Sequence, residues 1–459
     1  MKKLLKLLGV VVVILLVLAA GALFLANRYL QSPAFKEKVL AAAHDALGTN
    51  VQIRDLQVSL WEGIALKGVT VANPQGFNGS LLTAEAFVLR YRLLPLLARR
   101  LVVEELSLTA PVVVLARNDK GEWNYDKLGA APAPVVAPPT TTPAATPAAP
   151  PAPAKSAGGA ASPVDIEISR IAVARGDVTL LDEKGKALVT VKGLDLTSAI
   201  NLTGNRLSGH GQSSIPAVTV ANSLFVHAFA APLALTGSEA KLAPLSGKLA
   251  DGDISGDVTL QLQNGFRYQV ALQVKNADMA TLLKEAGTKQ VMTGKLQLNT
   301  TLAGTGGLAT MAGQGRAEIT SGQLMEIPVM NLLATLLQVP ELQQLKFTEC
   351  LVEFTLTNNV MQTSTIRLTS PQAQLTGSGT VNLADNSLNH TLTLALPKTL
   401  LARAPKEIRG AFTERADGML TIEFHVTGPY DSPKTDLTQR LVQGAAGQLL
   451  QKGLQKLFK

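Results

Sequence analysis

Residues 254–274 read ISGDVTLQLQNGFRYQVALQV, and this stretch decides the fold class. Val258, Leu260 and Leu262 alternate with polar neighbours, and beyond Asn264-Gly265 the alternation resumes through Phe266, Tyr268, Val270, Leu272 and Val274. A period of two is the spacing of a strand with one face buried, so the stretch reads as a β-hairpin. Its register follows from the faces. A two-residue loop pairs Gln263 with Phe266 and sends the two apolar sets to opposite sides, whereas a three-residue loop pairs Leu262 with Phe266 and unites them. The second is selected, with Gly265 left-handed at a bulge.

The same alternation runs outward in both directions. Upstream it passes through Ile166, Ile168, Ile171 and Val173, then Val178 and Leu180, then Leu194, Leu196, Ile200 and Leu202; downstream it returns as Val352, Phe354 and Leu356, and as Leu392, Leu394 and Leu396. An apolar residue, a small residue and a glycine open several of these segments: Ile254-Ser255-Gly256, Met292-Thr293-Gly294, Met311-Ala312-Gly313 and Leu375-Thr376-Gly377. Their spacing is irregular, which indicates a succession of similar strand starts rather than a fixed-period solenoid. Glycine there permits a bend or bulge. The GQG at 313–315 and GSG at 377–379 lead into strand-like residues, so no helix N-terminus follows to hold a phosphate.

Nearer the start, 51–60 and 64–71 also alternate, and 87–92, 102–108 and 112–115 read as further strands. Ser32-Pro33 caps a short amphipathic helix carrying Phe35, Val39, Leu40, Ala43 and Leu47 on one side, closed by Gly48. Before it, 7–26 is an uncharged apolar run of twenty residues, long enough for a bilayer core of about 30 Å. Lys2, Lys3 and Lys6 precede the run and Arg28 follows it, which places the N-terminus in the cytoplasm and the later chain outside. The run exceeds the apolar region of a cleaved signal, so a retained anchor is expected.

Residues 130–163 are almost wholly Ala, Pro, Thr, Gly and Ser, too poor in large apolar groups to fold alone, and form a linker or surface excursion. The expected organisation is 1–30 as cytoplasmic tip and anchor, 31–129 as helix plus β region, and 130–163 as linker. An extended sheet with short helices over 164–434 and an amphipathic helix over 435–459 complete it. In that last helix Leu437, Leu441, Ala445, Leu449, Leu450, Leu454 and Leu457 recur at helical spacing beside Arg440, Lys452, Lys456 and Lys459. Capping the sheet end and docking at an anionic membrane both fit it. A second apolar helix is expected at 328–339.

Composition narrows the function classes. Charged residues are 17% and aromatics 4%, while Val, Leu, Thr, Ser and Gln abound, a mixture suited to strands with one apolar and one neutral polar face. The net charge of +8 is scattered, without a basic stripe or aromatic platforms, so nucleic acid is not an expected partner. His44, His210, His227, His390 and His425 stand apart, with no HExxH and no GxSxG elbow. No catalytic residue, metal site or cofactor is indicated, and the chain is not expected to be an enzyme. Cys350 reads as a small apolar strand residue.

Four segments carry a family resemblance. Residues 32–77 (SPAFKEKVLAAAHDALGTNVQIRDLQVSLWEGIALKGVTVANPQGF), 90–128 (RYRLLPLLARRLVVEELSLTAPVVVLARNDKGEWNYDKL), 370–396 (SPQAQLTGSGTVNLADNSLNHTLTLAL) and 424–437 (FHVTGPYDSPKTDL) occur in this order. Together they resemble the AsmA family of envelope proteins, related to TamB and to chorein-like lipid-transfer bridges. The resemblance implies a mainly β fold: one N-terminal transmembrane helix, then a long, strongly curved antiparallel β-sheet forming a groove, with a few capping helices. It also implies a single-pass protein of the bacterial inner membrane with its bulk in the periplasm.

On that resemblance the groove binds phospholipid acyl chains and assists glycerophospholipid transport and outer-membrane biogenesis. The implied partners are the inner membrane, phospholipids and an outer-membrane or envelope protein. The residues expected to face lipid are Val258, Leu260, Leu262, Phe266, Tyr268, Val270, Leu272, Val352, Phe354, Leu356, Leu392, Leu394 and Leu396. A core packed under helices would show the same stripe. A non-transporting scaffold influencing outer-membrane protein assembly is the alternative function; an unbroken apolar face distinguishes a carrier, whereas a scaffold tolerates plugs and charges within it.

Overall fold

The computed structural model describes residues 29, 32–59, 62–92, 95, 100–128, 165–203, 206–261, 267–288, 292–305, 310–325, 331, 334–335, 339–430 and 432–443. The expected anchor at 7–26, the linker at 130–163 and most of the 328–339 helix lie outside them. Among the described residues the chain is mainly β, with 21 strands and few helices, in two compact units. The first comprises described residues up to 188 together with 193–209, the second 189–192 together with those from 210 onward. No helix among the described residues is long and apolar enough to cross a membrane.

The first unit opens with α1 (Pro33–Leu47). The Ser32 hydroxyl accepts from the Phe35 N–H at 3.3 Å, and Gly48 ends the helix at φ 67°, the cap and stop anticipated from sequence. Then come β1 (Val51–Ser59), β2 (Gly63–Ala72), β3 (Ser80–Arg92), β4 (Arg100–Thr109), β5 (Val112–Ala116), β6 (Asp165–Leu181) and β7 (Ala187–Thr203). β1, β2 and β3 form an antiparallel meander, with Val51↔Val71 and Val69↔Ala84 in register. Val69, Val71 and Ala84 make its core, against which Leu47, Phe87 and Leu108 pack.

β4 and β5 are one strand interrupted at Ala110-Pro111, since both keep the same register against β3 and against β6. Their pairing with β6 is parallel: Val103↔Ile168, Leu108↔Val173, Leu115↔Leu180. This corrects the expectation of an antiparallel sheet throughout. A parallel pair needs a crossover of about a dozen residues or more, and 117–164 supplies it. Within that connection Asn124 is fully buried: its Nδ2 donates to Asn73 Oδ1 at 2.8 Å and to the Val114 carbonyl at 2.7 Å, and its Oδ1 accepts from the Ala116 N–H at 3.2 Å. The GEWN segment is therefore a latch, with the Trp123 ring stacked on Tyr125 at 5.8 Å.

The second unit contains β8 (Arg206–Val220) from His210 onward, β9 (Leu224–Thr236), β10 (Glu239–Leu249), β11 (Gly252–Gln261), β12 (Arg267–Asp278), α2 (Met279–Glu285), β13 (Met292–Thr305) and β14 (Ala312–Met325). It continues through β15 (Gln344–Thr357), β16 (Val360–Thr369), β17 (Gln374–Asn382), β18 (Ser387–Pro397), α3 (Lys398–Leu401), α4 (Lys406–Arg409), β19 (Thr413–Glu414), β20 (Met419–Pro429) and β21 (Lys434–Thr435). From β9 to β18 successive strands pair antiparallel, and β18 then pairs β20. In the decisive hairpin Val258 faces Val270 and Leu260 faces Tyr268, the register the face argument selects; the turn itself, with Leu262, Gly265 and Phe266, lies outside the described residues.

Alternate connections in a meander share one sheet edge. The edge carrying α2, 339–343, 370–373 and 398–418 holds the apolar cores. One gathers Ile254, Val274, Ala277 and Leu296 with Met279 and Leu282 of α2. The other gathers Leu342, Leu345, Phe347, Leu394, Leu396, Leu401, Phe412 and Phe424 with Leu437 and Leu441. The start of the C-terminal helix is thus core: Leu437 is 0% and Leu441 2% exposed, while Val442 is 63% exposed.

The outer edge of β20 is closed piecemeal. β19 covers Leu420 and Thr421, and β21 covers Val426 and Thr427. Between them Asp436 accepts from the His425 N–H at 2.7 Å while its own N–H reaches the His425 carbonyl at 3.3 Å. Burial pushes the Asp436 carboxyl up, but the His425 N–H and imidazole and the Arg440 guanidinium at 2.7 Å outweigh it and hold the group at about 2. An exposed strand edge would template pairing with other chains, and these contacts occupy it.

Leu441→Ala lowers the stability of the second unit by about 2–5 kcal/mol, seen as an earlier thermal transition and faster proteolysis, whereas Val442→Ala leaves both unchanged. Asp436 is more acidic folded than the roughly 3.9 of an unfolded carboxyl. Its contribution is therefore present at neutral pH and drains away as pH falls from about 4–5 toward 2. Thermal melts across this window show Asp436→Asn flattening that part of the acid loss.

Candidate functional site

Partners across an antiparallel ladder share a face, so the registers trace one surface through the second unit. It passes from Leu233 and Leu235 of β9 to Leu242 and Ala240 of β10, then to Val258 and Leu260 of β11 and Val270 and Tyr268 of β12. Leu302 of β13 and Gly313 of β14 follow, then Leu356, Phe354 and Val352 of β15. Met361 and Ile366 of β16, Val381 and Leu375 of β17, Leu388, Leu392 and Leu394 of β18, and Val426, Phe424 and Ile422 of β20 complete it. None of these positions is Asp, Glu, Lys or Arg. The reverse face is polar, with Arg316 bridging Glu353 at 2.8 Å and Glu318 at 3.3 Å, and Arg367 bridging Glu349 at 3.3 Å.

Glycines on the apolar face sit opposite its large side chains. A Cβ on Gly315 would run into the Phe354 ring, one on Gly304 into the Tyr268 ring, and one on Gly377 would meet Leu392 Cδ2 at 2.7 Å. The rings therefore lie down across the neighbouring strand. Gly294 and Gly377 also mark ladder irregularities: the register shifts between Thr293 and Lys295, and between Thr363 and Ile366 opposite Gly377. The GxG pairs read from sequence are ring seats and bulge sites in strands.

The apolar face is divided lengthwise. Leu394 and Leu396 lie in the core under the helical edge, at 2% and 0% exposure, and Leu272 and Leu392 pack against the two cores. Val258, Leu260, Tyr268, Val270, Val352, Phe354 and Leu356 belong to neither core. All but Leu356 are half-buried. Leu394 and Leu396 thus lie in the core, packed with Val339, Leu342, Leu401, Ala404 and Phe412 at that end of the strands. Leu262 and Phe266 lie outside the described residues. The strip left uncovered is the half of the face toward the turns at 237–238, 358–359 and 383–386.

Residues 1–209 match the model of the AsmA family. Over that stretch, a little under half of its length, the chain is similar to that family. The match ends where the first compact unit ends, at Gly209. AsmA proteins are envelope-associated. Comparison with curated proteins and with solved structures finds no match for the chain. The uncovered strip and the segments 370–396 and 424–437 lie beyond the AsmA match.

Other side chains of chemical interest have structural partners. Burial, and then the Glu349 charge, push the Cys350 thiol up to about 11, so it stays protonated beside the core. His44 Nδ1 lies 3.0 Å from the Thr49 carbonyl at the end of α1. His425 belongs to the Asp436–Arg440 cluster, and His390 meets Thr363 on the apolar face. Among the described residues no group of three or more His, Cys, Asp or Glu is placed to hold a metal. The His390–Thr363 pair escapes a sequence reading because its members are separated by 27 residues with no motif linking them.

Gly315→Ala displaces the Phe354 ring and lowers stability by about 1–3 kcal/mol. In a Phe354→Ala background the same substitution is close to neutral, so a double-mutant cycle by chemical denaturation gives a coupling of at least about 1 kcal/mol.

Proposed function

We propose that this AsmA-like protein is held in the bacterial inner membrane by residues 7–26 and exposes its β-rich units to the periplasm. There the uncovered strip of the second unit binds phospholipid acyl chains and assists glycerophospholipid transport and outer-membrane biogenesis. The observation that carries the reading is the one-sided face from β9 to β20, apolar at every strand, free of charge at its registered positions and covered along only half of its width. An apolar surface of this length exposed to water favours association, and acyl chains cover it without requiring specific polar contacts. The role is non-enzymatic, one of holding and passing a molecule.

A non-transporting scaffold places weaker demands on this face, since it tolerates charged residues among the registered positions. The continuity across β9–β20 therefore favours a carrier. The basic end of the chain, with Lys452, Lys456 and Lys459, suits an anionic membrane surface, while Leu437 and Leu441 fix its first turns in the core.

Photo-crosslinkers at Val270 and Val352, introduced into the full chain in envelope membranes, capture phospholipid, and one at Leu394 does not. Leu260→Glu, which places a charge on the strip, cuts capture at Val270 by about tenfold or more. Capture confined to the polar alternates Thr259 and Thr393 rejects the assignment.

A further inference from the structure

One imidazole stands on a face otherwise made of apolar residues, glycines and threonines. His390 of β18 lies between Gly379 of β17 and Val426 of β20, and is 8% exposed. Its ring rests over Gly379, where a Cβ would meet His390 Cδ2 at 2.7 Å. Its Nε2 is 2.8 Å from Oγ1 of Thr363, itself 3% exposed, and the same Oγ1 lies 3.0 Å from the Gly379 carbonyl oxygen.

These distances fix the tautomer, because a hydroxyl has one proton to give. Were Thr363 to donate to Nε2, its oxygen and the Gly379 carbonyl would face each other without a proton between them. With the hydroxyl donating to Gly379, Nε2–H donates to Thr363 and both contacts are hydrogen bonds. Nδ1 is then a bare lone pair. Among the described residues nothing hydrogen-bonds to it, and it is not among the polar atoms fully closed off from the surface. Burial lowers the imidazole's pKa and favours the neutral ring; the flanking Leu388, Leu392, Val381 and Val426 offer no charge to reverse this.

We propose that His390, oriented by Thr363, is a hydrogen-bond acceptor that seats an O–H or N–H donor of an amphiphile lying on the uncovered strip. The inference rests on the lipid-binding reading and adds a polar selectivity to it. The residue is nine-tenths buried, yet Nδ1 keeps an opening to the surface and has no protein partner among the described residues. A donor seated there gains a hydrogen bond that an apolar residue at this position could not offer. A lone-pair acceptor repels phosphate and ester oxygens and gains nothing from a trimethylammonium group, so the selected chemistry is hydroxyl or primary ammonium. Thr363 acts through His390 and is a positioning residue.

The test uses the full chain reconstituted in vesicles of equimolar phosphatidylcholine, phosphatidylethanolamine and phosphatidylglycerol with identical acyl chains. A photo-crosslinker at Leu388, on the same face, reports through adduct mass which headgroup was held. The ethanolamine or the glycerol lipid is enriched over the choline lipid by about threefold or more, the size of one ordinary hydrogen bond, and which of them is enriched names the donor. In His390→Phe the adducts return to the bilayer composition while total capture persists. Thr363→Val, a smaller change to the fold, reduces the enrichment in the same direction. Adducts at bilayer composition in the unsubstituted chain, or an enrichment that survives His390→Phe, overturn the proposal and leave the lipid-binding reading standing. Absence of any lipid adduct overturns both.

Discussion

The second unit depends on a single constraint: the strands from β9 to β20 must keep their apolar side chains on the same face through every ladder. Because side chains alternate, a slip of one residue at any pairing would turn the following strands over and place leucines among the Arg316–Glu353 and Arg367–Glu349 ion pairs. The bulges show how the constraint is met. Where the register shifts, between Val274 and Ala277 or between Glu353 and Phe354, the apolar residue beyond the shift is again on the common face: Ala277 faces Leu296, and Phe354 faces Thr363 beside Met361. Bulges therefore bend the sheet without exchanging its sides.

The glycines serve the same surface at a finer scale. Tyr268, Phe354 and Leu392 each lie against a glycine of the adjacent strand, so a large group adds area to the face while projecting little from it. Filling these seats with methyl groups would raise the rings into the space above the sheet. A thin wall with large side chains lying along it suits a surface whose occupant is a chain of variable length, and the folding cost of those glycines is repaid in that thinness.

The extent to which the sequence discloses this arrangement follows the range of each interaction. The hairpin of β11 and β12 was legible, because the faces and the loop length lie within one short stretch; so was the cap and stop of α1. The parallel pairing of β6 with β4 and β5 was not, since it joins segments on either side of 130–163 and leaves no trace in periodicity. The division of the apolar face was equally hidden. Leu394 and Leu260 have the same alternation, and only distant residues such as Leu342, Leu401 and Phe412 decide that one is core and the other is not. His390 looks isolated in sequence; its role is set by Thr363 and Gly379, each on a different strand.

The two edges of the second unit now take different meanings. The helical edge supplies stability: it shelters Val274, Leu296, Phe347, Leu396 and Phe424 and takes in Leu437 and Leu441, so the same strands that present a strip are held by their other half. β20 ends the ladder with its backbone occupied by β19, Asp436 and β21, which directs association away from strand pairing. What is left for a ligand is the face itself, greasy along its open half and broken there by a histidine whose second nitrogen has no partner among the described residues. A purely structural sheet would gain by replacing that imidazole with leucine. Its presence on the strip is most economically a feature of what the strip holds, because the open acceptor adds nothing to the empty protein and gains a hydrogen bond when a donor arrives.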